Sequence, residues 1–211
     1  MDQERRMNFL RILTLVIFLF LFSGCFSLTK ELPPQKTYTI GLNNKEIKKS
    51  KLNTKKSLKV YEPKVINSLN TKAMNYIKDN IYKSSYVLSK WSDEPSRMIQ
   101  QLISSYLNKT QIFEYVSSSD LRLKSDYKLL SELISFEHIY IKNNSFASLE
   151  IRVFLIDNKS KKTYFQTFSY LEKLPENTTK EYVVTMNSIS KTFTEDLTLF
   201  IINSLNNHTI K

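Results

Sequence analysis

Glycine, histidine and cysteine are scarce in this chain of 211 residues, which has two glycines, two histidines and one cysteine. A phosphate-binding loop or a dinucleotide fingerprint needs several glycines, because the backbone has to approach a phosphate closely. Neither pattern occurs here. A single cysteine also excludes an intramolecular disulfide, even in an oxidising compartment. The fold therefore depends on an apolar core, to which 13 phenylalanines and 12 tyrosines are available.

The N-terminal segment has the order of a secretory signal peptide, with basic residues first, an apolar stretch next and small residues last. Arg5, Arg6 and Arg11 precede a nearly uninterrupted apolar run over residues 12–22. This run is shorter than the ~20 residues of a membrane-spanning helix. The sequence Leu-Phe-Ser-Gly-Cys over residues 21–25 resembles a bacterial lipobox, in which the cysteine is lipidated and becomes the first residue of the mature protein.

Lipidation of Cys25 predicts a chain held to a membrane surface by covalent lipid. A cysteine with two or three palmitate-type chains exceeds what stable attachment needs, because each buried methylene contributes roughly 0.8 kcal/mol. Neither Phe26 nor Ser27 is acidic, which favours the periplasmic face of the outer membrane over the inner membrane. An alternative stays open, in which Cys25 is an ordinary buried cysteine behind an uncleaved anchor helix.

The signal-peptide pattern and Cys25 together predict that the chain has three parts. Residues 1–24 form the signal peptide, residues 25–36 form a lipidated tether, and residues 37–207 form a single periplasmic domain. No cofactor is expected apart from the lipid on Cys25.

Catalytic chemistry finds little support in the rest of the sequence. His138 and His208 lie far apart, and no G-x-S-x-G nucleophile motif occurs. With the one cysteine lipidated, a nucleophile–base pair of cysteine and histidine is excluded, and so is a zinc site of cysteine and histidine. We interpret His138 as a surface residue or a satisfied core residue, and predict no catalytic residue and no metal site.

Positive charge dominates, with a formal net charge of +11. A basic surface suits nucleic acid, anionic lipid or an acidic protein, and export argues against nucleic acid. A chain rich in lysine, asparagine and isoleucine is also typical of an AT-rich genome, which accounts for most of the lysines. Residues 43–56 are predicted to form a mobile, solvated loop, with contact to a membrane surface as the alternative.

The hydrophobic periodicity predicts an α+β fold, in which a mainly antiparallel sheet is packed by a short central helix and a long C-terminal amphipathic helix as a compact α/β sandwich. The predicted strands cover residues 37–42, 57–61, 74–77, 82–90, 112–116, 127–142, 147–156 and 163–171. The last three are expected to form an antiparallel meander.

Both predicted helices have start signals. Ser92 or Asp93 is expected to cap the central helix, with Pro95 in its first turn and Asn108 at its end. Thr178 and Glu181 resemble a capping box at the start of a helix of roughly 27 residues.

With these pieces in order, the chain resembles the ABC-type transport auxiliary lipoproteins, a family that includes the lipoprotein of the paraquat-inducible Pqi system. Cys25 is the anchor, residues 38–40 match an opening tyrosine-containing strand, and residues 58–63 match a strand that ends in proline. Residues 86–95 match an aromatic strand that runs into a Trp-x-x-x-Pro helix start. Residues 147–157 match the central strand of the meander.

The resemblance implies an outer-membrane lipoprotein that works with an MCE-type lipid shuttle and an inner-membrane ABC transporter, and whose domain assembles into a homo-oligomeric ring. Tyr86, Trp91 and Pro95 are its candidate interface residues. For Trp91 a role in the core is the competing interpretation.

Three functions are therefore compared. The first is non-catalytic docking in an ABC lipid-transport system, which predicts a closed core and an exposed patch. The second is a stand-alone lipid-binding module, which predicts an apolar cavity between the long helix and the sheet. The third is an envelope-assembly lipoprotein without a transporter partner.

Overall fold

The computed structural model describes residues 3–8, 11, 13–14, 33–41, 47–118 and 124–209. The chain forms two compact units, Met1–Pro34 and Gln35–Lys211. In the first unit the described residues up to 14 are helical. Cys25 lies outside the described residues, as does most of the predicted tether.

The described part of the second unit contains one nine-stranded sheet and two α-helices. The strands are β1 (Lys36–Tyr38), β2 (Ser57–Val60), β3 (Lys64–Val65), β4 (Ala73–Lys78), β5 (Tyr82–Trp91), β6 (Tyr115–Ser117), β7 (Tyr127–Ile141), β8 (Asn144–Asp157) and β9 (Thr163–Lys173). The helices are α1 (Pro95–Thr110) and α2 (Thr179–Thr209), with a short 3-10 turn at Asn67–Leu69. The predicted α+β class is confirmed.

The sheet is organised around β7. On one side, β7, β8 and β9 form the predicted antiparallel meander. On its other side β7 pairs in parallel with β2, β3 and β4 in turn. β6 extends the sheet beside β2, while β5 and then β1 extend it beside β4. The sheet is therefore mixed, with its longest pairings antiparallel.

A bulge in the middle of β7 exchanges the two faces of that strand. Leu133 pairs with Ile151 and Ser135 pairs with Glu150, so Ile134 is an extra residue. Odd-numbered residues face the helices before the bulge and even-numbered residues face them after it. This places His138 on the face that the helices cover, and it explains why the sequence of this strand has a mixed periodicity.

The long helix α2 seals that face of the sheet by packing on β8 and β9. Six of its inward side chains are completely buried: Tyr182, Met186, Ile189, Phe193, Leu197 and Ile201. The Thr178 hydroxyl accepts a hydrogen bond from the Glu181 N–H at 3.1 Å, as the capping prediction requires. The helix has 31 residues, slightly more than predicted.

The central helix starts and ends differently from its prediction. Pro95 does occupy the first turn, but the N-cap residue is Glu94 and no side chain caps it. The Asp93 carboxylate instead accepts a hydrogen bond from the Glu94 N–H at 2.9 Å. The helix continues to Thr110, because Asn108 bonds outward to the backbone of β6 rather than ending the helix.

One further prediction is corrected and another is partly tested. The described residues before β2, 47–56, contain no helix or strand and are exposed or half-buried, and the Ser50 and Thr54 N–H groups donate to the carbonyls of Thr110 and Ile112. The mobility of this loop stays a prediction. Residues 112–114 are not strand, because Ile112 is buried in the turn after α1 and pairing begins only at Tyr115.

Candidate functional site

Trp91 is a core residue in this fold. Only 1% of it is exposed, and its ring centroid lies 5.2 Å from that of Phe136 and 5.7 Å from that of Tyr182. Pro95 is also buried, and Tyr86 is half-buried. A role for Trp91, Tyr86 and Pro95 at an interface stays a prediction, while the contacts of Trp91 favour the core interpretation.

Tyr86 belongs to a cluster of aromatic rings around His138. Its hydroxyl hydrogen-bonds to His138 Nδ1 at 2.8 Å and to the Tyr140 hydroxyl at 2.5 Å. The His138 ring stacks on Tyr182 with centroids 4.8 Å apart. His138 is completely buried, and among the described residues neither its Nε2 nor the Tyr182 hydroxyl has a hydrogen-bond partner. The histidine is therefore a core residue that is satisfied at one ring nitrogen only.

Burial keeps this cluster uncharged. It lowers the pKa of His138 to about 4, because a buried imidazolium loses its hydration. Burial also raises the pKa of Tyr86, assisted by the hydrogen bond to Tyr140, and raises that of Tyr182. His138, Tyr86 and Tyr182 are therefore neutral at physiological pH, and His138 is sealed from solvent.

The lowered pKa of His138 predicts a pH-dependent stability. Above pH 6.5 the imidazole is neutral in both states and contributes no pH dependence. Between about pH 6.5 and 4 the unfolded chain binds a proton that the folded chain excludes. The free energy of unfolding should therefore decrease as the pH is lowered from 6.5 to 4, by up to about 3 kcal/mol. Urea unfolding measured at several pH values checks this.

A His138→Phe variant is the control for that measurement. Its unfolding free energy should lack the slope between pH 6.5 and 4. Asp93 and Asp126 also have lowered pKa values, because backbone N–H groups of Glu94 and Ser57 donate to their carboxylates. These two carboxylates change the stability only below about pH 4, where they become protonated, and they do so equally in the variant and the parent protein. Parallel curves for the variant and the parent would contradict the assignment.

Several acidic residues in the described part of the chain make structural contacts. Asp93 and Glu94 lie near Arg97. Asp196 accepts a hydrogen bond from the Tyr170 hydroxyl at 2.7 Å. Glu137 is buried and pairs with Lys83. No three His, Cys, Asp or Glu residues among those described are grouped to hold a metal ion.

No described helix of the unit Gln35–Lys211 packs on the other face of the sheet, which we call the open face. Apolar side chains interrupt its polar surface in two places. At one end Leu130, Phe154 and Phe165 lie opposite one another on β7, β8 and β9, and Phe165 is 69% exposed. At the other end Ile139 pairs with Phe146, beside Leu171, which is 57% exposed. An ion pair between Glu132 and Arg152 separates the two patches. Exposed apolar patches mark interaction sites.

A basic groove of about 410 Å³ adjoins the first patch. We call it the lysine groove, and it is lined by Lys59, Lys124, Lys128 and Lys161 together with Tyr61. Among its described lining residues there is no carboxylate. These lysines come from β2, from the segment before β7, from β7 and from the β8–β9 turn, so sequence reasoning did not bring them together.

Hydrogen bonds join the two segments that flank the lysine groove, the β8–β9 turn and the residues just before β7. Asn158 donates from its side chain to the Ser125 carbonyl at 2.7 Å and from its backbone to the Asp126 carbonyl at 2.8 Å. Lys161 adopts a left-handed conformation with φ 63° and donates to the Asp157 carbonyl. The turn that carries Lys161 is thus tied by hydrogen bonds to the residues that follow Lys124.

The described residues include no helix that is both long and apolar enough to cross a membrane. The family of ABC-type transport auxiliary lipoprotein components matches the chain over residues 38–198. Because this match spans most of the sequence, the chain belongs to that family. Its function is therefore that of an auxiliary component associated with ABC-type transport, a role that places it in the cell envelope. None of the curated proteins matches the chain in sequence.

Solved structures show the same fold at low sequence identity. A Xanthomonas campestris protein described as DUF330 superimposes with a TM-score of 0.72 at 14% identity, over 82% of this chain and 99% of that protein. A hypothetical protein from Chlamydia trachomatis has a TM-score of 0.51 at 9% identity, over 70% of this chain and 96% of its own. At these identities the similarity establishes the fold alone.

Proposed function

We propose that this protein is a lipid-anchored, non-catalytic docking component of an MCE-type ABC system that moves lipid between membranes. Cys25 carries the lipid, and the domain stands on the periplasmic face of the outer membrane. Membership of the transport auxiliary family supports the transport role. The signal-peptide pattern around Cys25 supports the anchor.

The closed contact between α2 and the sheet is the observation that favours docking over lipid holding. A module that holds acyl chains beneath the helix needs an apolar cavity there. The side chains at that contact are instead completely buried against one another, among them Tyr182, Phe193 and Leu197 from α2 and Leu149 and Ile151 from β8. Protein interiors packed in this way leave no room for a ligand.

Docking also needs an exposed surface, and the second apolar patch supplies one. Ile139, Phe146 and Leu171 lie on the open face of the sheet, on three adjacent strands. Aliphatic and aromatic anchors surrounded by polar residues are typical of interface centres. We assign this patch to the MCE-domain protein or to another subunit of the same transporter.

Leu171→Asp tests this assignment with little risk to the fold, because the side chain is mostly exposed. Cross-linking to the MCE-domain protein encoded by the same genome should fall at least tenfold, since a charge would be placed against an apolar surface. Val184→Asp is the matched control, because Val184 is 53% exposed but lies on α2. Undiminished cross-linking of Leu171→Asp, or equal loss in the control, would contradict the assignment.

Native mass spectrometry of the purified protein separates the remaining alternatives. A closed ring of copies is what the family resemblance implies. Retained phospholipid would favour the lipid-binding alternative. A genome that encodes no MCE-domain protein or ABC subunit near this chain would favour envelope assembly.

A further inference from the structure

We infer that β9 is a self-association edge, at which two copies of this chain pair their β9 strands antiparallel about a two-fold axis. The two sheets then form one continuous sheet, with the open faces of both copies on the same side. The inference goes beyond the proposed function and does not depend on it, because it concerns how one copy of the chain meets another.

The first observation is that β9 is a long edge strand with an exposed surface. Its 11 residues pair only with β8 among the described strands, in a register without a shift. Phe165 is 69% exposed and Leu171 is 57% exposed. Proteins commonly protect such an edge with proline, a bulge or charged side chains. β9 has no proline, and its only charged residues are the last two, Glu172 and Lys173.

The second observation is the direction of the backbone groups along β9. The Asp157 N–H donates to the Lys162 carbonyl at 3.0 Å, and the Leu174 N–H donates to the Ser145 carbonyl at 2.8 Å. Hydrogen-bonded and non-hydrogen-bonded pairs alternate along an antiparallel ladder. Both ends of β9 therefore indicate that its even-numbered residues bond to β8. Its odd-numbered residues direct their N–H and C=O groups to the outer edge.

A two-fold axis at Phe168 pairs β9 with its own copy over the full length of the strand. The axis places odd-numbered residues opposite one another in three kinds of pair: Thr163 with Lys173, Phe165 with Leu171, and Thr167 with Ser169. Each pair joins residues whose backbone groups point to the outer edge, as the hydrogen-bonded pairs of an antiparallel ladder require. A shift of one residue would oppose odd-numbered to even-numbered residues and leave these groups without partners.

This register also brings together the two exposed apolar side chains of β9. Phe165 of one copy lies opposite Leu171 of the second copy, and the two-fold axis repeats the contact. Side chains directly opposite each other on neighbouring strands are in contact, so both contacts remove apolar surface from water. On the open face, the apolar patch around Phe165 in one copy is then continuous with the patch around Leu171 in the other.

Charges complement each other at both ends of the pairing. The Lys162 ammonium lies 4.7 Å from the centroid of the Tyr164 ring. In this register Tyr164 lies opposite Glu172 of the second copy, which is then a diagonal neighbour of Lys162. Long side chains reach across such a diagonal, and opposite charges on neighbouring strands stabilise a sheet. The two-fold axis gives each dimer two of these contacts.

Two-fold pairing limits the assembly that this edge forms. A contact between identical surfaces is complete with two copies. The edge that would otherwise recruit further chains is then covered by the second copy. A ring of copies would be built from these dimers.

Paired charge substitutions test the inference on the full-length lipidated protein in a non-ionic detergent. Thr167 and Ser169 are exposed and lie opposite each other across the axis. Thr167→Lys combined with Ser169→Lys places like charges opposite each other twice, so the dissociation constant of the dimer should rise about tenfold or more. Thr167→Lys combined with Ser169→Glu places opposite charges there, and the dimer should be as stable as the parent. Sedimentation velocity over a concentration series measures both.

Two further variants control for net charge and for folding. Ser85→Lys combined with Val87→Lys adds the same charge at exposed positions of β5, and it should leave the dissociation constant unchanged. Thr167→Pro removes an N–H at the outer edge without removing a bond to β8. It should therefore weaken the dimer by about the same factor as the lysine pair while the monomer keeps its circular dichroism spectrum.

A protein that stays monomeric at every concentration would overturn the inference. A dimer that the lysine pair and Thr167→Pro leave intact would also overturn it, by placing the contact elsewhere. Equal weakening by the lysine pair and by the lysine–glutamate pair would contradict the register, and equal weakening by the β5 variant would reduce the effect to net charge. Thr167 and Ser169 belong to neither apolar patch, so these results do not depend on the partner assigned to Leu171.

Discussion

Replacing Trp91 by alanine is expected to lower the free energy of unfolding by about 3–5 kcal/mol. The indole is buried between Phe136 of β7 and Tyr182 of α2, so its removal leaves a cavity where the strand meets the helix. Neither neighbour can fill that space without leaving its own packing. Urea unfolding at pH 7 measures the loss, and Trp91→Phe should lose less because it retains part of the ring contact.

The matched control for this prediction is Val87→Ala on the same strand. Val87 is 71% exposed, so its truncation should change stability by no more than about 0.5 kcal/mol. A stable Trp91→Ala protein that failed to bind its partner would instead make Trp91 an interface residue. A stable variant with normal binding would contradict both interpretations.

Replacing Cys25 by serine is expected to move the protein from the membrane fraction to the soluble periplasm. Serine has no thiol to accept the acyl chains, and without them the bilayer loses the methylenes that each contribute roughly 0.8 kcal/mol. Fractionation followed by immunoblotting measures the distribution. The domain should remain folded, because its core lies within the unit that begins at Gln35.

Two observations would contradict the lipid anchor. One is a Cys25→Ser chain that stays in the membrane pellet at its full length, which would support an uncleaved N-terminal helix. The other is an intact-mass measurement of the native protein without added acyl chains. Ser27→Ala is the matched control, and it should remain in the membrane fraction with the parent protein.

The long-range organisation of the sheet was only partly predictable from the sequence. The β8–β9 pair and the long helix were predicted because their alternating and helical periodicities are strong and local. The bulge at Ile134 was not predicted, because one inserted residue breaks the alternation and leaves a pattern common to helix and strand. The N-cap of α1 was misplaced because three polar residues precede Pro95, and sequence alone does not choose among them.

The open face was harder to predict than the core. Phe165 and Leu171 share one face of β9 with the polar residues Thr167 and Ser169. Their sequence context therefore does not distinguish a docking patch from scattered exposure. The lysine groove combines residues from positions 59 to 161, and each lysine alone is explained by composition. Only the register of β2 against β7, and the β8–β9 turn, bring the charges together.

The pairing of β7 also sets an order of events for a chain that enters its compartment N-terminus first. Leu58 pairs with Tyr127, and Tyr76 pairs with His138. Until β7 has arrived, β2, β3 and β4 lack the strand that joins them, and their polar backbone edges stay open to other chains. Completion of this sheet must therefore wait for the second half of the polypeptide, and until then the unpaired strand edges are open to self-association.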